Sequence, residues 1–295
     1  MSRDATSSAK PSPSEVIAAL ERRARRCETP CGDGVMVWRA WGAGPPLLLL
    51  HGSHGSWAHF IRSIDALAAS RTVWAPDLPG FGDSALPPVA DHPAISAALA
   101  DGLGQLIAAE ALPLDVVGFS LGGVVAAYLA VLHPQLVRRL ILVDSGGLDT
   151  PMGVLETARA RGLEGEARRA ALRTNLLAIM LRHPDSVDEL ALHLLERDGP
   201  RGRLKPAGVV LPDKLLQALP QMTAQVDAIW GEFDGPHPDP PAQEAALRGV
   251  LPDLDFRVIP NVGHWVMYEG AEAFNRTVLE MLEQPLRGTG RAACG

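Results

Sequence analysis

Three cysteines in 295 residues are too few for a disulfide framework. Cys27, Cys31 and Cys294 fit reduced thiols, and Cys27-x-x-x-Cys31 is followed by no second ligand pair that would complete a metal site. An excess of basic residues is also missing. The formal charge of -7 argues against nucleic acid, which asks for a basic face. No apolar run approaches membrane-spanning length, and Pro46-Leu47-Leu48-Leu49-Leu50 is only strand-sized. The first thirty residues contain Arg and Glu but no apolar signal core, which argues against secretion. There is no Rossmann glycine fingerprint, no P-loop and no internal repeat, so no cofactor is implied. The expectation is a soluble, cytoplasmic protein whose oligomeric state is open. With 47% hydrophobic residues it can bury the core of one large domain, or of a domain plus an insert.

From Val35 onward the chain alternates short apolar runs with helical patterns. Val35–Trp41 reads as a half-exposed strand, Leu47–Leu50 and Thr72–Ala75 as buried ones. Leu114–Val117, Leu140–Val143, Val226–Trp230 and Leu254–Ile259 continue the series. Such alternation predicts an α/β protein with a mostly parallel sheet covered on both faces. Residues 1–30 read as an extension, polar at first and then helical behind a serine cap. Residues 31–149 and 218–285 form the core, and 286–295 a flexible tail. Between them, 150–217 has no convincing strand, only helical patterns rich in Leu, Ala and Arg. An all-helical insert between two parallel strands reads as a cap over the strand ends, where open α/β sheets bind ligands.

The sharpest local signal is Gly118-Phe119-Ser120-Leu121-Gly122-Gly123, set between the Leu114–Val117 strand and an apolar helix. A serine flanked by small residues at a strand-to-helix turn is a nucleophile elbow, since larger neighbours would clash in so tight a bend. A plain helix N-cap would also use serine, but it would not need the glycine spacing. A serine hydroxyl needs a base, and the base needs an orienting acid. His264, in the loop after the last strand, is the candidate base. Asp234, just beyond the preceding strand, is the candidate acid, with Asp144 the alternative and Glu232 last. Two backbone N–H groups should face the developing oxyanion, one from Leu121 and one from the His51–Ser56 loop, with Ser53 the candidate donor. His51 would brace that loop and Asp77 would fix the Pro79-Gly80 turn. His54 and Trp265 are possible pocket residues. His51-x-x-His54 lacks the further His and Asp ligands of a metal hydrolase, so no metal is expected. His59, His92, His133, His183, His193 and His237 read as surface or core residues, and Arg168, Arg169, Arg201 and Arg203 as a solvated helix face.

Four motifs in this order resemble the α/β-hydrolase family from Val35 to Leu282: His51-Gly52, Asp77-Leu78-Pro79-Gly80-Phe81-Gly82-Asp83-Ser84, Trp230-Gly231-x-x-Asp234 and Gly263-His264. The resemblance implies the α/β-hydrolase fold and a Ser120–His264–Asp234 triad acting through an acyl-enzyme on a small molecule. Gly146-Gly147-Leu148, Gly263-His264-Trp265 and Glu269-x-x-x-x-Phe274-Asn275 are similar to carbon–carbon hydrolases of aromatic ring cleavage. Those enzymes usually carry a Gly-Pro-containing oxyanion loop, where this chain has Ser53-His54. The readings are therefore a hydrolase of small carboxylic esters or related acyl compounds, then a carbon–carbon hydrolase, then a non-catalytic receptor on the same fold. Ser120 excludes the usual dehalogenase and epoxide hydrolase mechanisms, which need a carboxylate at the elbow.

Overall fold

The computed structural model describes residues 10–287. Cys294, part of the N-terminal stretch and most of the C-terminal tail lie outside the described residues.

Eight strands form one sheet in the order β1-β2-β4-β3-β5-β6-β7-β8. They are β1 (Arg25–Cys31), β2 (Gly34–Trp41), β3 (Pro46–Leu50), β4 (Thr72–Pro76), β5 (Leu114–Phe119), β6 (Val137–Val143), β7 (Gln225–Gly231) and β8 (Phe256–Ile259). β1 and β2 run antiparallel to their neighbours, and from β4 to β8 every pair is parallel. The parallel strands are apolar on consecutive residues because both faces are covered. Alternation then splits each strand between two cores. Leu48, Leu50, Val116, Leu140 and Trp230 point to one face. Leu47, Leu49, Val117, Ile141 and Ile229 point to the other.

Two expectations about the N-terminal region change. The helix expected within residues 1–30 ends at Arg23, and Arg25–Cys31 joins the sheet as an edge strand. Its charged residues and Pro30 hid it, yet such residues are tolerated on an edge. The capping serine is Ser12, with Ser14 already inside the helix: Ser12 and Glu15 exchange hydrogen bonds in a capping box around Pro13. Second, β2 is buried from Met36 onward instead of half-exposed. The N-terminal helix covers one face, where Trp41 donates its indole N–H to the Leu20 carbonyl. The helix His92–Leu106 covers the other, with Leu99 and Leu103 in the same core as Trp38.

Register aligns the strand ends that matter. Leu50 pairs with Gly118, Phe119 with Val143, Val143 with Ile229, and Gly231 with Ile259. The loops leaving β3, β5, β6, β7 and β8 therefore emerge along one edge. Between β6 and β7 the described residues contain no strand. Helices Gly165–Asn175, Glu189–Asp198, Ala207–Val210 and Lys214–Ala218 fill the interval, with a single π turn at Leu176–Met180. The last of these helices sits in the sheet's own core, with Leu215 and Ala218 fully buried. At the other terminus, Arg287 hydrogen-bonds the Val226 carbonyl and pairs with Asp227, so the chain is still docked on β7 at that point.

Candidate active site

Ser120 stands between β5 and the helix Leu121–Leu132 with φ 51° and ψ −118°, a backbone conformation unfavourable for a non-glycine residue. Its N–H donates to the Val143 carbonyl at 2.8 Å and its carbonyl accepts from Gly123 N–H at 3.1 Å, so the turn is held from both sides. The flanking glycines are a steric requirement. A Cβ on Gly118 would lie 2.6 Å from the Cα of Gly123, and one on Gly122 would lie 2.2 Å from the Leu50 carbonyl oxygen. Ser120 Oγ has no hydrogen-bond partner among the described residues.

The loop after β3 lies against this turn: a Cβ on Gly52 would come within 3.1 Å of the Ser120 Cβ. Two imidazoles brace it. His51 Nε2 accepts the Leu78 N–H at 2.9 Å, which leaves Nδ1–H to donate to the Gly52 carbonyl at 2.8 Å. His59 Nδ1 accepts the Gly52 N–H at 3.2 Å, and complete burial holds its pKa well below the usual imidazole range. The braced loop presents Ser53 N–H, and the helix start presents Leu121 N–H. Neither donor has an acceptor among the described residues. Asp77 anchors the next loop as expected, accepting N–H groups from Trp57 and Asp83 at 3.0 Å each and pairing with buried Arg39.

His264 lies in the loop beyond β8, and Glu269 holds that loop. Its carboxylate accepts N–H groups from Gly263 at 2.6 Å and from Arg182 and His183 at 2.9 Å each. Trp265 adds a bond to each side of the site, from its N–H to the Met180 carbonyl at 2.7 Å and from its indole to the His59 carbonyl at 2.8 Å. The middle of the helical insert is thus stitched to the His264 loop.

His264 Nδ1 is 3.0 Å from Asp234 Oδ1. Asp234 is fully buried and takes two further bonds, from His237 N–H to Oδ1 at 3.1 Å and from His237 Nδ1 to Oδ2 at 3.0 Å. Burial pushes the carboxyl up, but the positive ends of His264 and His237 outweigh it and hold Asp234 well below the carboxylate range. Asp144 follows the opposite course. It is equally buried, its main partner is the Gly231 N–H at 2.8 Å, and it lies against the Asp234 charge. Burial and that like charge raise it well above the carboxylate range, so of the two carboxyls Asp144 takes up a proton first as pH falls.

His237 is the residue that sequence reasoning missed, having been read as a surface or core residue. Asp234-Gly235-Pro236-His237 is turn chemistry, and an Asp that opens a turn often accepts the N–H of a residue just beyond it. That signal was available. The donor atoms of Asp234, His237 and His264 lie within 4.8 Å of one another, a spacing that could hold a metal ion. In the structure, however, the carboxylate engages both Nδ1–H groups in hydrogen bonds. Cys27 and Cys31 are four residues apart on one strand, about 13 Å at the usual strand rise, and cannot share an ion.

A cavity of about 470 Å³ opens over these groups. Ser53, His54, Ser120, His264 and Trp265 line it together, as do His237 and His59. Asp144 is not on its wall. The helical insert supplies the apolar side through Leu176, Ile179, Leu194, Leu195 and Val210. Its two polar insert residues are satisfied within the protein. Asn175 bonds both backbone groups of Ala158, and Asp198 binds Ser56 and Arg197. Among the described residues, no lysine or arginine lines the cavity.

The sequence model of the family described as "Alpha/beta hydrolase family" matches residues 47–277. The chain is 30% identical to the dihydrolipoyllysine-residue acetyltransferase component of an acetoin cleaving system of Pseudomonas putida, over 86% of this chain and 68% of that one. It is also 30% identical to a 2-hydroxy-6-oxononadienedioate/2-hydroxy-6-oxononatrienedioate hydrolase of Paraburkholderia phymatum, over 82% of this chain and 89% of that protein. Among solved structures, a thermophilic esterase from Thermogutta terrifontis superposes with a TM-score of 0.67 at 23% identity. That match covers 88% of this chain and 98% of the esterase, and is a likeness of fold.

Proposed function

The chain belongs to the alpha/beta hydrolase family and is an enzyme of hydrolysis, and we propose that it cleaves small, uncharged carboxylic esters through an acyl-enzyme on Ser120. The observation that carries this reading is the bond from His264 Nδ1 to ionised Asp234 at the rim of a cavity that Ser120 also lines. An ionised carboxylate only accepts, so Nδ1 keeps its proton and Nε2 is the basic nitrogen. His264 then takes the Ser120 proton as Oγ attacks the ester carbonyl. The resulting oxyanion meets Ser53 N–H and Leu121 N–H, each such donor being worth about 10²–10³ in rate. Collapse passes the proton from His264 to the leaving alcohol. A water activated by the same nitrogen then releases the acid. Residues 150–217 act as the cap, closing the apolar side of the pocket.

The carbon–carbon hydrolase reading draws on the Paraburkholderia relative, whose named substrates are dioates. A carboxylate under the cap would want a cation, and the cavity offers none among the described residues. The apolar wall therefore favours the ester. Labelling by a fluorophosphonate, lost in Ser120→Ala, tests the nucleophile. Turnover of a nitrophenyl ester series, compared with turnover of a ring-cleavage dienol, tests the substrate. A protein that neither labels nor turns over would leave only ligand binding on this fold.

A further inference from the structure

The mechanism above uses one of two imidazoles that share Asp234. His237 is buried to 5% exposure, donates Nδ1–H to Asp234 Oδ2 at 3.0 Å, and lines the same cavity. With Nδ1–H committed to an acceptor-only carboxylate, the neutral imidazole form of His237 carries a lone pair on Nε2. That atom has no partner among the described residues. Its neighbours fix where it is reached from: a Cβ built on Gly146 would lie 3.3 Å from Nε2 and 2.8 Å from Val210 Cγ1. The absence of a side chain at Gly146 keeps Nε2 accessible from the cavity. The rings of His237 and His264 are 5.7 Å apart and both line the cavity, so this acceptor lies beside the candidate base.

An acceptor facing the apolar side chains of the insert discriminates between ligands. A purely apolar acyl or alcohol group would bury Nε2 unpaired, whereas a hydroxyl would satisfy it. Asn175 and Asp198 cannot play this part, because their polar atoms are already paired. We propose that His237 Nε2 is a specificity-determining acceptor that makes the cavity prefer esters bearing a hydroxyl close to the scissile carbonyl. This rests on the ester hydrolase reading and deepens it.

The test is a set of matched nitrophenyl esters with hydrogen, hydroxyl or methoxy at the third acyl carbon. A second set carries the hydroxyl on the alcohol side, so that the two arms show which half of the substrate reaches His237. The readout is the ratio of kcat/KM for hydroxyl over hydrogen. In one of the two sets, wild type should favour hydroxyl by roughly three- to ten-fold, about one neutral hydrogen bond, and the methoxy compound should lose that advantage. His237→Phe keeps a ring there but no acceptor, and the ratio should fall to near one. Gly146→Ala shields Nε2 while leaving His237 in place, and should lower the ratio as well, which covers the case of a poorly folded His237→Phe. A ratio near one for wild type in both sets, or one unchanged by either substitution, overturns the proposal. Plain esters hydrolysed and Ser120 labelled alongside such a result would leave the ester reading standing. No turnover and no labelling would remove both.

Discussion

The sheet edge and the helical insert face each other across one cavity and are built on opposite principles. Along the edge, backbone strain and buried polar bonds are concentrated within a few residues. Ser120, Asp144 and His54 all hold positive φ, and the Asp234 carboxylate accepts three hydrogen bonds at full burial. The insert contributes leucines, an isoleucine and a valine, and the polar groups it carries to the cavity are paired within the protein, Asn175 with Ala158 and Asp198 with Arg197 and Ser56. Position is critical on the edge, where a misplaced atom loses a bond. On the insert it is volume that matters. Loss of function should therefore be steep on one side and graded on the other.

Ser120→Ala tests the edge most severely. Turnover should fall by about 10⁶, with residual catalysis from the oxyanion donors, and the fold should survive because the hydroxyl makes no internal bond. Steady-state kinetics on an activated ester would measure it. More than a few per cent of wild-type activity would contradict a serine mechanism.

Asp234→Asn and Asp144→Asn compare two buried aspartates in contact. Asp234→Asn should cost roughly 10⁴ in turnover, because the imidazole loses the charge that fixes its tautomer. Asp144→Asn keeps an oxygen that can still accept from Gly231 and touches neither His264 nor the cavity, so its cost should stay within about ten-fold. Reversed effects would move the acid to the end of β6. Stability supplies an independent check. Folded Asp144 keeps its proton above the usual carboxyl pKa of about 3.9, whereas unfolded Asp144 loses it there. The folded state binds more protons, so this group destabilises the protein as pH rises from about 4 toward its folded value. Thermal melts of Asp144→Asn should gain on wild type over that rise. Asp234, held low, has the opposite sign: it contributes stability above about pH 4 that is lost in acid.

The same contrast explains what was legible in the sequence. Gly118-x-Ser120-x-Gly122 could be read because sterics allow few residues at a bend where a Cβ would meet backbone at 2.2–2.7 Å. The parallel strands could be read because double-sided burial leaves unbroken apolar runs such as Leu47–Leu50. β1 could not, since an edge strand needs no apolar pattern and Arg25-Arg26-Cys27-Glu28-Thr29-Pro30 offers none. His237 was missed because a lone histidine carries no pattern; its meaning comes from a turn that returns it to Asp234. In the insert, sequence reading found helices but could not assign pocket residues. Leu176 and Ile179 sit in a π turn at Leu176–Met180, whose altered helical phase a regular 3.6-residue pattern does not describe, and both line the cavity.

The same turn yields an effect on specificity rather than on turnover. Leu176 is 1% exposed, belongs to the core under the insert, and also lines the cavity, so it is both packing and pocket wall. Leu176→Ala removes three heavy atoms from that wall without touching the edge. Space opened there should be filled by substrate, and a methylene in an apolar pocket is worth about ten-fold or more in specificity. The ratio of kcat/KM for long over short acyl chains should rise by about ten-fold, and the optimum should move toward longer chains. Ester-length profiles of the two proteins would measure it. If the profile kept its wild-type shape in a folded variant, the acyl chain would have to lie away from the insert, and the division between a chemical edge and a volumetric wall would fail at that point.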